Sequence, residues 1–213
     1  GLSPRPHAPG GCLLALPHAL LDSGLPVAVH NQLASHPVPA NDAQQLVGFN
    51  KPGWVVLMRD ANGKPFEHNG KPFYRFKPDK PIMNKNGKPS KYLTTAGAGC
   101  RPYFSPLLPE GFDQATTTIR ITEGEKKADC LNHHGFPTIG ISGVDAWTDK
   151  RTPDRKLIRE LDEINWAGRK VLLVFDSDVT VKDTVRHSLH RLTIALSDKG
   201  AQVSVVLLPC ELN

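Results

Sequence analysis

Three carboxylates in this 213-residue sequence follow two apolar runs, in positions that suit shared binding of a divalent cation. Glu123 follows the run at 117–121, and Asp176 and Asp178 follow the run at 170–175. If the two runs are neighbouring parallel strands, all three side chains leave the same edge of a sheet. Unpaired carboxylates at close range repel, and a hard divalent cation with oxygen ligands removes that repulsion. The spacing therefore predicts a Mg²⁺ site, with Mn²⁺ as the alternative ion.

Each of these acidic pieces also has an ordinary structural explanation. Glu123 and Glu125 would complement the positive N-terminus of a helix that starts after Gly124. Ser177 or Asp178 would cap the helix that follows the second run. The metal hypothesis therefore depends on the two pieces meeting in space.

The elements that must position these acids alternate between strands and helices. This alternation predicts βαβ units, and hence an α/β fold with a Rossmannoid parallel four-stranded sheet and flanking helices. The strand candidates are 117–121, 137–141, 170–175 and 203–208, and the helix candidates are 125–132, 154–165 and 182–199.

The first half of the chain has a different pattern. Residues 1–16 are rich in Pro and Gly and predict a disordered lead, and residues 17–114 predict a small α+β unit with antiparallel hairpins ahead of the α/β domain at 115–213. The tetrapeptide Asn-Gly-Lys-Pro occurs three times in this unit, beginning at Asn62, Asn69 and Asn86. Asn-Gly pairs tolerate the positive φ of tight hairpin turns, so each tetrapeptide predicts one.

The net charge of +5 comes from the middle of the chain. Residues 51–101 contain eleven Lys and Arg and three Asp and Glu, whereas the segments on either side are slightly acidic. Such a segment is typical of a surface that binds a phosphate backbone. A solvated hairpin face explains the same composition.

Several classes of protein are disfavoured by the composition. No run approaches the roughly 18 apolar residues of a membrane span, and the four cysteines form no C-x-x-C pair. We therefore expect a cytoplasmic protein without a membrane partner, disulfide scaffold or zinc site. No Walker A loop is found, so ATP hydrolysis by this chain is not expected.

The two acidic motifs resemble those of the Toprim (topoisomerase–primase) domain over roughly residues 115–210. The first Toprim motif is an apolar strand that ends in Glu-Gly, here at Glu123, and the second is an apolar strand that ends in Asp-x-Asp, here at Asp176. The run Glu123 to Ala128, with Gly140-Ile141-Ser142-Gly143 downstream, is similar to primase and primase–helicase proteins of phages, plasmids and other mobile elements. A weaker resemblance to their upstream element rests on the pairs Tyr74-Arg75, Lys91-Tyr92 and Arg101-Pro102.

The resemblance implies a primase-type nucleotidyltransferase in DNA replication. Glu123, Asp176 and Asp178 would bind the metal, Glu123 would also act as a general acid or base, and Lys126 would hold a phosphate. The implied partners are single-stranded DNA, nucleoside triphosphates and a helicase module in the same or another chain. The predicted nucleic-acid or nucleotide contacts are Arg75, Lys77, Lys91, Arg101 and Lys127.

Other functions stay open at the level of sequence. One is a Toprim-type nuclease, and another is a noncatalytic module that binds single-stranded DNA, since no Cys/His cluster supplies the zinc module of bacterial primases. Topoisomerase chemistry is not expected, because the three tyrosines all lie in the basic unit. Residues 174–180 also resemble the first motif of haloacid-dehalogenase-like phosphatases, in which Asp176 would be phosphorylated. The sequence stops shortly after its last strand candidate, so we expect a piece of a longer replication protein.

Overall fold

A computed structural model describes residues 35–84, 86–95, 97–149, 156–175 and 182–206. The predicted disordered lead, the first residues of the predicted α+β unit (17–34) and the aspartates at 176 and 178 lie outside these residues. None of the described helices is long and apolar enough to cross a membrane. In chain order the elements are β1 (Ser35–Val38), α1 (Ala40–Val47), β2 (Gly53–Leu57), β3 (Glu67–His68), β4 (Lys71–Pro72), β5 (Tyr74–Pro78), β6 (Ile82–Met83), β7 (Pro89–Ser90), β8 (Leu93–Thr94), β9 (Tyr103–Phe104), β10 (Ile119–Glu123), α2 (Glu125–His133), β11 (Thr138–Ile141), α3 (Arg159–Asp162), β12 (Lys170–Val174), α4 (Asp183–Asp198) and β13 (Gln202–Val206).

An antiparallel sheet with the order β1-β2-β5-β8 forms the basic part of the molecule. Helix α1 packs on β2 and β5, and Ala43 of the helix joins Val55 and Phe76 in a small apolar core. Gly53 allows β5 to approach closely, because a Cβ at this position would lie 2.4 Å from the backbone oxygen of Lys77. The sequence-based expectation of antiparallel hairpins describes this sheet.

The three Asn-Gly-Lys-Pro segments do not fold alike. Only Asn69 and Gly70 form a two-residue hairpin turn, with positive φ at both residues, between β3 and β4. The other two segments form longer loops, in which the side-chain oxygen of Asp60 or Asn84 accepts two backbone N–H groups. All three segments nevertheless close an antiparallel pair with a glycine at positive φ, so the predicted hairpin turns are present, and the two longer ones are those in which an Asp or Asn side chain precedes the Asn-Gly pair.

A five-stranded sheet with the order β13-β12-β10-β11-β9 forms the second part. Strands β10 to β13 pair in parallel, and β9 pairs with β11 in antiparallel orientation. The α/β class agrees with the prediction, but the sheet is mixed rather than a purely parallel sheet of four strands. Strand β9 is two residues long, and so short an element leaves no periodic pattern in the sequence.

The connections in this sheet run in opposite directions. The unit β10-α2-β11 extends the sheet toward β9, whereas β12-α4-β13 extends it toward the other edge. Because such crossovers are right-handed, α2 and α4 cover opposite faces of the sheet. The core between these layers contains two fully buried tryptophans, Trp147 and Trp166.

Candidate functional site

The strand order reverses between β10 and β12, and this reversal marks the candidate site. Strand β11 lies on one side of β10 and β12 on the other, with Thr122 opposite Val174. Open α/β sheets bind ligands outside the carboxyl ends of their strands at such a reversal. Glu123 is the last residue of β10 and is half-buried at this edge. Asp176 and Asp178 follow β12 but lie outside the described residues, so their approach to Glu123 stays a prediction.

Gly124 makes the turn from β10 into α2. Its φ of 93° lies in a region that residues with a Cβ rarely adopt, and its N–H donates to the backbone oxygen of Ile141 over 2.8 Å. Gly140 allows the helix to lie close to the sheet, since a Cβ there would lie 3.2 Å from both the Ala128 Cβ and the Gly124 oxygen. These two glycines therefore allow α2 to start directly after β10 and to pack closely on the sheet.

Glu125, the first residue of α2, is buried in an ion pair with Arg75 of the antiparallel sheet. Ser142, which follows β11, donates its hydroxyl to the Glu125 Oε1 over 3.2 Å. The backbone oxygen of Ser142 accepts a hydrogen bond from Nη2 of Arg75 over 3.2 Å. The Arg75–Glu125 ion pair thus joins the two sheets beside the candidate site.

Arg75 differs from the other predicted nucleic-acid contacts because of this pair. Its side chain is 9% exposed, and its guanidinium also lies over the Tyr92 ring, 4.5 Å from the ring centre. A guanidinium so engaged has few donors left for a strand phosphate. The predicted phosphate contact of Arg75 is not tested by this arrangement and stays a prediction.

The other four side chains predicted to contact nucleic acid, and Lys126, are more exposed to solvent than Arg75. Lys127 and Lys91 are exposed, and Lys77, Lys126 and Arg101 are half-buried. Arg101 forms a loose ion pair with Glu160, with 3.4 Å between Nε and Oε1.

Two cavities meet at residues 99–101, between the antiparallel sheet and the loop after β11. The first, which we call the cleft, has a volume of about 210 Å³ and is lined by Phe73, Arg75, Tyr92, Thr94, Gly99, Cys100, Arg101, Ser142 and Ala146. The second has a volume of about 310 Å³ and extends from Arg101 to Glu160 and Thr148. The cleft lies directly beside the Arg75–Glu125 ion pair.

The buried carboxyl of Asp129, on the inner side of α2, has a raised pKa. Asp129 accepts hydrogen bonds from the Tyr103 hydroxyl over 2.7 Å and the Ser105 hydroxyl over 2.6 Å. Burial raises the pKa of Asp129 to about 7, although the two hydroxyl donors act in the opposite direction. Burial and the neighbouring Asp129 also raise the pKa of Tyr103. This network ties β9 to α2 and lies behind the site rather than in the cleft.

The loop after β11 is held from the other side by α4. Ser188 of α4 donates to the backbone oxygen of Val144 and contacts the Asp145 carboxylate, each over 2.6 Å, and accepts the Trp147 indole N–H over 3.2 Å. Arg191 pairs with Asp145 over 2.6 Å. These contacts fix the loop that carries Ser142 into the cleft.

Of the three predicted metal ligands, Glu123 lies within the residues that the structure describes. Over the described ranges, no group of three or more His, Cys, Asp or Glu side chains is arranged to hold a metal ion. Glu125 lies near Glu123 in the sequence, but Arg75 and Ser142 already occupy its carboxylate. A divalent cation at this edge therefore depends on Glu123, Asp176 and Asp178 and stays a prediction.

Sequence reasoning missed the partners that connect these residues. Arg75 and Glu125 lie fifty positions apart, and nothing local marks them as a pair. Tyr103, whose partner Asp129 is likewise distant in the sequence, lies in the core at 1% exposure. Ser142 stands out in the sequence only as part of the segment Gly140-Ile141-Ser142-Gly143. Glu125 was expected only to complement the positive N-terminus of its helix, so no feature of the sequence indicated a buried cation partner.

Comparisons with known proteins gave one family model and one solved structure. Residues 111–213 match a family model described as a domain of unknown function (DUF3854). Among solved structures, the chain is similar to the zinc-binding and RNA polymerase domains of the Aquifex aeolicus primase, with a TM-score of 0.60 and 13% sequence identity. No curated protein matches the sequence.

The structural similarity covers 92% of this chain and 50% of the Aquifex aeolicus primase chain. The present chain therefore spans about half the length of that relative. At this identity the similarity shows a shared fold. The chain therefore has an α/β fold similar to that of this primase structure.

Proposed function

We propose that this chain catalyses metal-dependent nucleotidyl transfer on a single-stranded DNA template, as the primase-type Toprim core of a replication protein. The observation that carries the proposal is the position of Glu123 at the reversal of strand order, next to the strand that leads into Asp176 and Asp178. A carboxylate cluster at that edge suits reactions of phosphates. The primase-like fold supports the same class of reaction.

The acidic residues would handle charge and protons at the reacting phosphate. Glu123, Asp176 and Asp178 would hold Mg²⁺ or Mn²⁺, which supplies neutralisation of phosphoryl oxygens when bound. Glu123 would accept the proton of the attacking 3′-hydroxyl, and Lys126 at the start of α2 would hold the triphosphate. Pyrophosphate is then the leaving group.

The basic sheet would hold the template. Lys77, Lys91, Arg101 and Lys127 would neutralise strand phosphates along the cleft, and we expect a helicase module to deliver the single strand. The net charge of +8 over residues 51–101 supports this role, because it lies in the sheet that borders the cleft.

Primer synthesis tests the proposal directly. The purified chain is incubated with single-stranded DNA, labelled ribo- or deoxyribonucleoside triphosphates and Mg²⁺ or Mn²⁺, and oligonucleotide products are separated by size. We expect synthesis that Glu123→Gln and Asp176→Asn each lower by at least about a hundredfold. Glu67→Gln, which changes an exposed acid on the β3-β4 hairpin, should leave synthesis unchanged.

The other outcomes separate the remaining functions. Shortened template strands that depend on Glu123 would indicate a nuclease with the same carboxylate cluster. Strand binding that persists in all variants, with neither synthesis nor degradation, would indicate a noncatalytic binding module and would contradict our proposal.

A further inference from the structure

Two hydrogen-bonded partners and burial hold Arg75 in place. Its Nη1 pairs with the Glu125 carboxylate, its Nη2 donates to the Ser142 backbone oxygen, and its side chain is 9% exposed. A buried guanidinium in such a pair is costly to move, because each partner would be left as an uncompensated charge. Arg75 is therefore a fixed feature of the cleft wall and not a mobile surface cation.

The Tyr92 ring lies against the Arg75 guanidinium. The Arg75 guanidinium lies 4.5 Å from the ring centre, a distance at which cation–π attraction stabilises the contact. Tyr92 is nevertheless 36% exposed and lines the cleft. By contrast, Phe73, which also lines the cleft, and Phe76 of β5 are buried. An exposed ring that is already held in place loses little conformational freedom when a ligand stacks on it.

The cleft has the size and chemistry for one unpaired base. Its volume of about 210 Å³ is small for a duplex, and its lining combines the Tyr92 ring with the hydroxyl groups of Thr94 and Ser142 and the guanidinium of Arg101. Aromatic rings bind bases of single strands by stacking, whereas cations beside them contact the phosphates.

We infer that Tyr92 is the stacking platform for an unpaired base of a single strand in the cleft, and that Arg75 is its positioning residue rather than a phosphate contact. This inference rests on the proposed function, because it assigns a subsite to the same single-stranded template. Arg101 then provides the phosphate contact of the subsite. Its ion pair with Glu160 is loose at 3.4 Å, and it lines both cavities.

Salt dependence distinguishes a phosphate contact from a stacking contact. Each phosphate neutralised on a single strand adds about 0.7 to the slope of log affinity against log salt concentration. Arg101→Ala should therefore lower this slope by about 0.7. Tyr92→Ala and Arg75→Lys should leave the slope unchanged while each weakens binding by about tenfold, because both disturb the stacked ring.

The experiment measures binding of a labelled single-stranded oligonucleotide of mixed sequence by anisotropy, without metal ion or nucleotides, at several salt concentrations. A second oligonucleotide contains 2-aminopurine, whose fluorescence falls when it stacks on an aromatic ring. We expect quenching with the parent chain and with Tyr92→Phe, and its loss with Tyr92→Ala. Thermal unfolding of each variant shows whether it is folded, and Arg75→Lys retains a charge for Glu125 if Arg75→Ala does not fold.

Three results would overturn the inference: no binding by the parent chain, equal affinity of Tyr92→Ala and the parent, or a lower salt slope in Arg75→Lys. Failure of primer synthesis does not affect these comparisons, since they contain no nucleotides. Conversely, synthesis that survives in Tyr92→Ala with unchanged strand affinity would refute the platform and leave the proposed reaction intact.

Discussion

Asp129 shows at the residue scale how burial can make a side chain sensitive to pH. Its carboxyl is 3% exposed and accepts hydrogen bonds from Tyr103 and Ser105. Burial raises the pKa of Asp129 from 3.8 to about 7. Between about pH 4 and pH 7, the folded protein therefore holds a proton that the unfolded chain has released. Stability that depends on this proton is lost as the pH rises through that range.

We predict that Asp129→Asn removes this loss. Relative to Asp129→Asn, the free energy of unfolding of the parent chain should fall by roughly 2–4 kcal/mol from pH 4 to pH 7.5. Urea denaturation at several pH values measures the difference, and other titrating groups cancel in the comparison. A difference that is independent of pH would show that Asp129 is ionised throughout.

Arg75 shows what sequence can and cannot predict about a single residue. Its position in a basic segment and beside Tyr74 favoured a strand contact. The sequence does not reveal that Glu125 lies against it, because the pair depends on how the two sheets pack. Glu123 was predictable for the opposite reason, since a local pattern of an apolar run, an acid and a glycine defines its place at a strand end.

At the scale of elements, the long periodic segments were predictable and the short ones were not. The parallel strands and helices α2 and α4 lie within a few residues of their predicted ranges. The helix predicted at 154–165 is described only as α3, Arg159–Asp162, with residues 156–158 extended before it. There Leu157 pairs with Thr148 and Ile158 is buried, so tertiary contacts override a helical apolar pattern.

Asn132 is an element-scale feature that helix periodicity does not reveal. It lies buried on α2, and its side-chain amide makes three hydrogen bonds. The amide nitrogen donates to the backbone oxygens of Ala128 and Thr138, and the amide oxygen accepts the Thr138 N–H. These bonds clamp the end of α2 to the start of β11. The helix after Glu123 is thereby fixed at both ends.

We predict that Asn132→Leu lowers the free energy of unfolding by about 2 kcal/mol, because the Thr138 N–H loses its side-chain acceptor in a buried place. Urea denaturation measures the change. His133→Ala, one residue further on the exposed face of the same helix, should change stability by less than about 0.5 kcal/mol. Equal effects of the two substitutions would show that the clamp does not contribute.

At the scale of the whole molecule, the sequence predicted two units of different character but not how they meet. Composition separates a basic antiparallel part from an acidic α/β part. The strand order of the second sheet and the antiparallel addition of β9 depend on long-range pairing, which local patterns do not encode. The cleft, which lies between the two parts, was for that reason beyond prediction from sequence.

The Arg75–Glu125 ion pair should couple the unfolding of the two sheets. Its removal on one side leaves a buried charge without a partner, so Glu125→Leu and Arg75→Met should each cost about 3–5 kcal/mol. The double variant should cost less than either single variant, because it leaves no unpaired charge.

Denaturation followed by hydrogen exchange reports both sheets separately, through amides of β2 and of β12. We expect the two to unfold together in the parent chain and β2 to open first in Glu125→Leu. Simultaneous opening in every variant would show that other contacts, such as the apolar packing of Phe73 and Met58 against Tyr103 and Ala128, hold the sheets together without the pair.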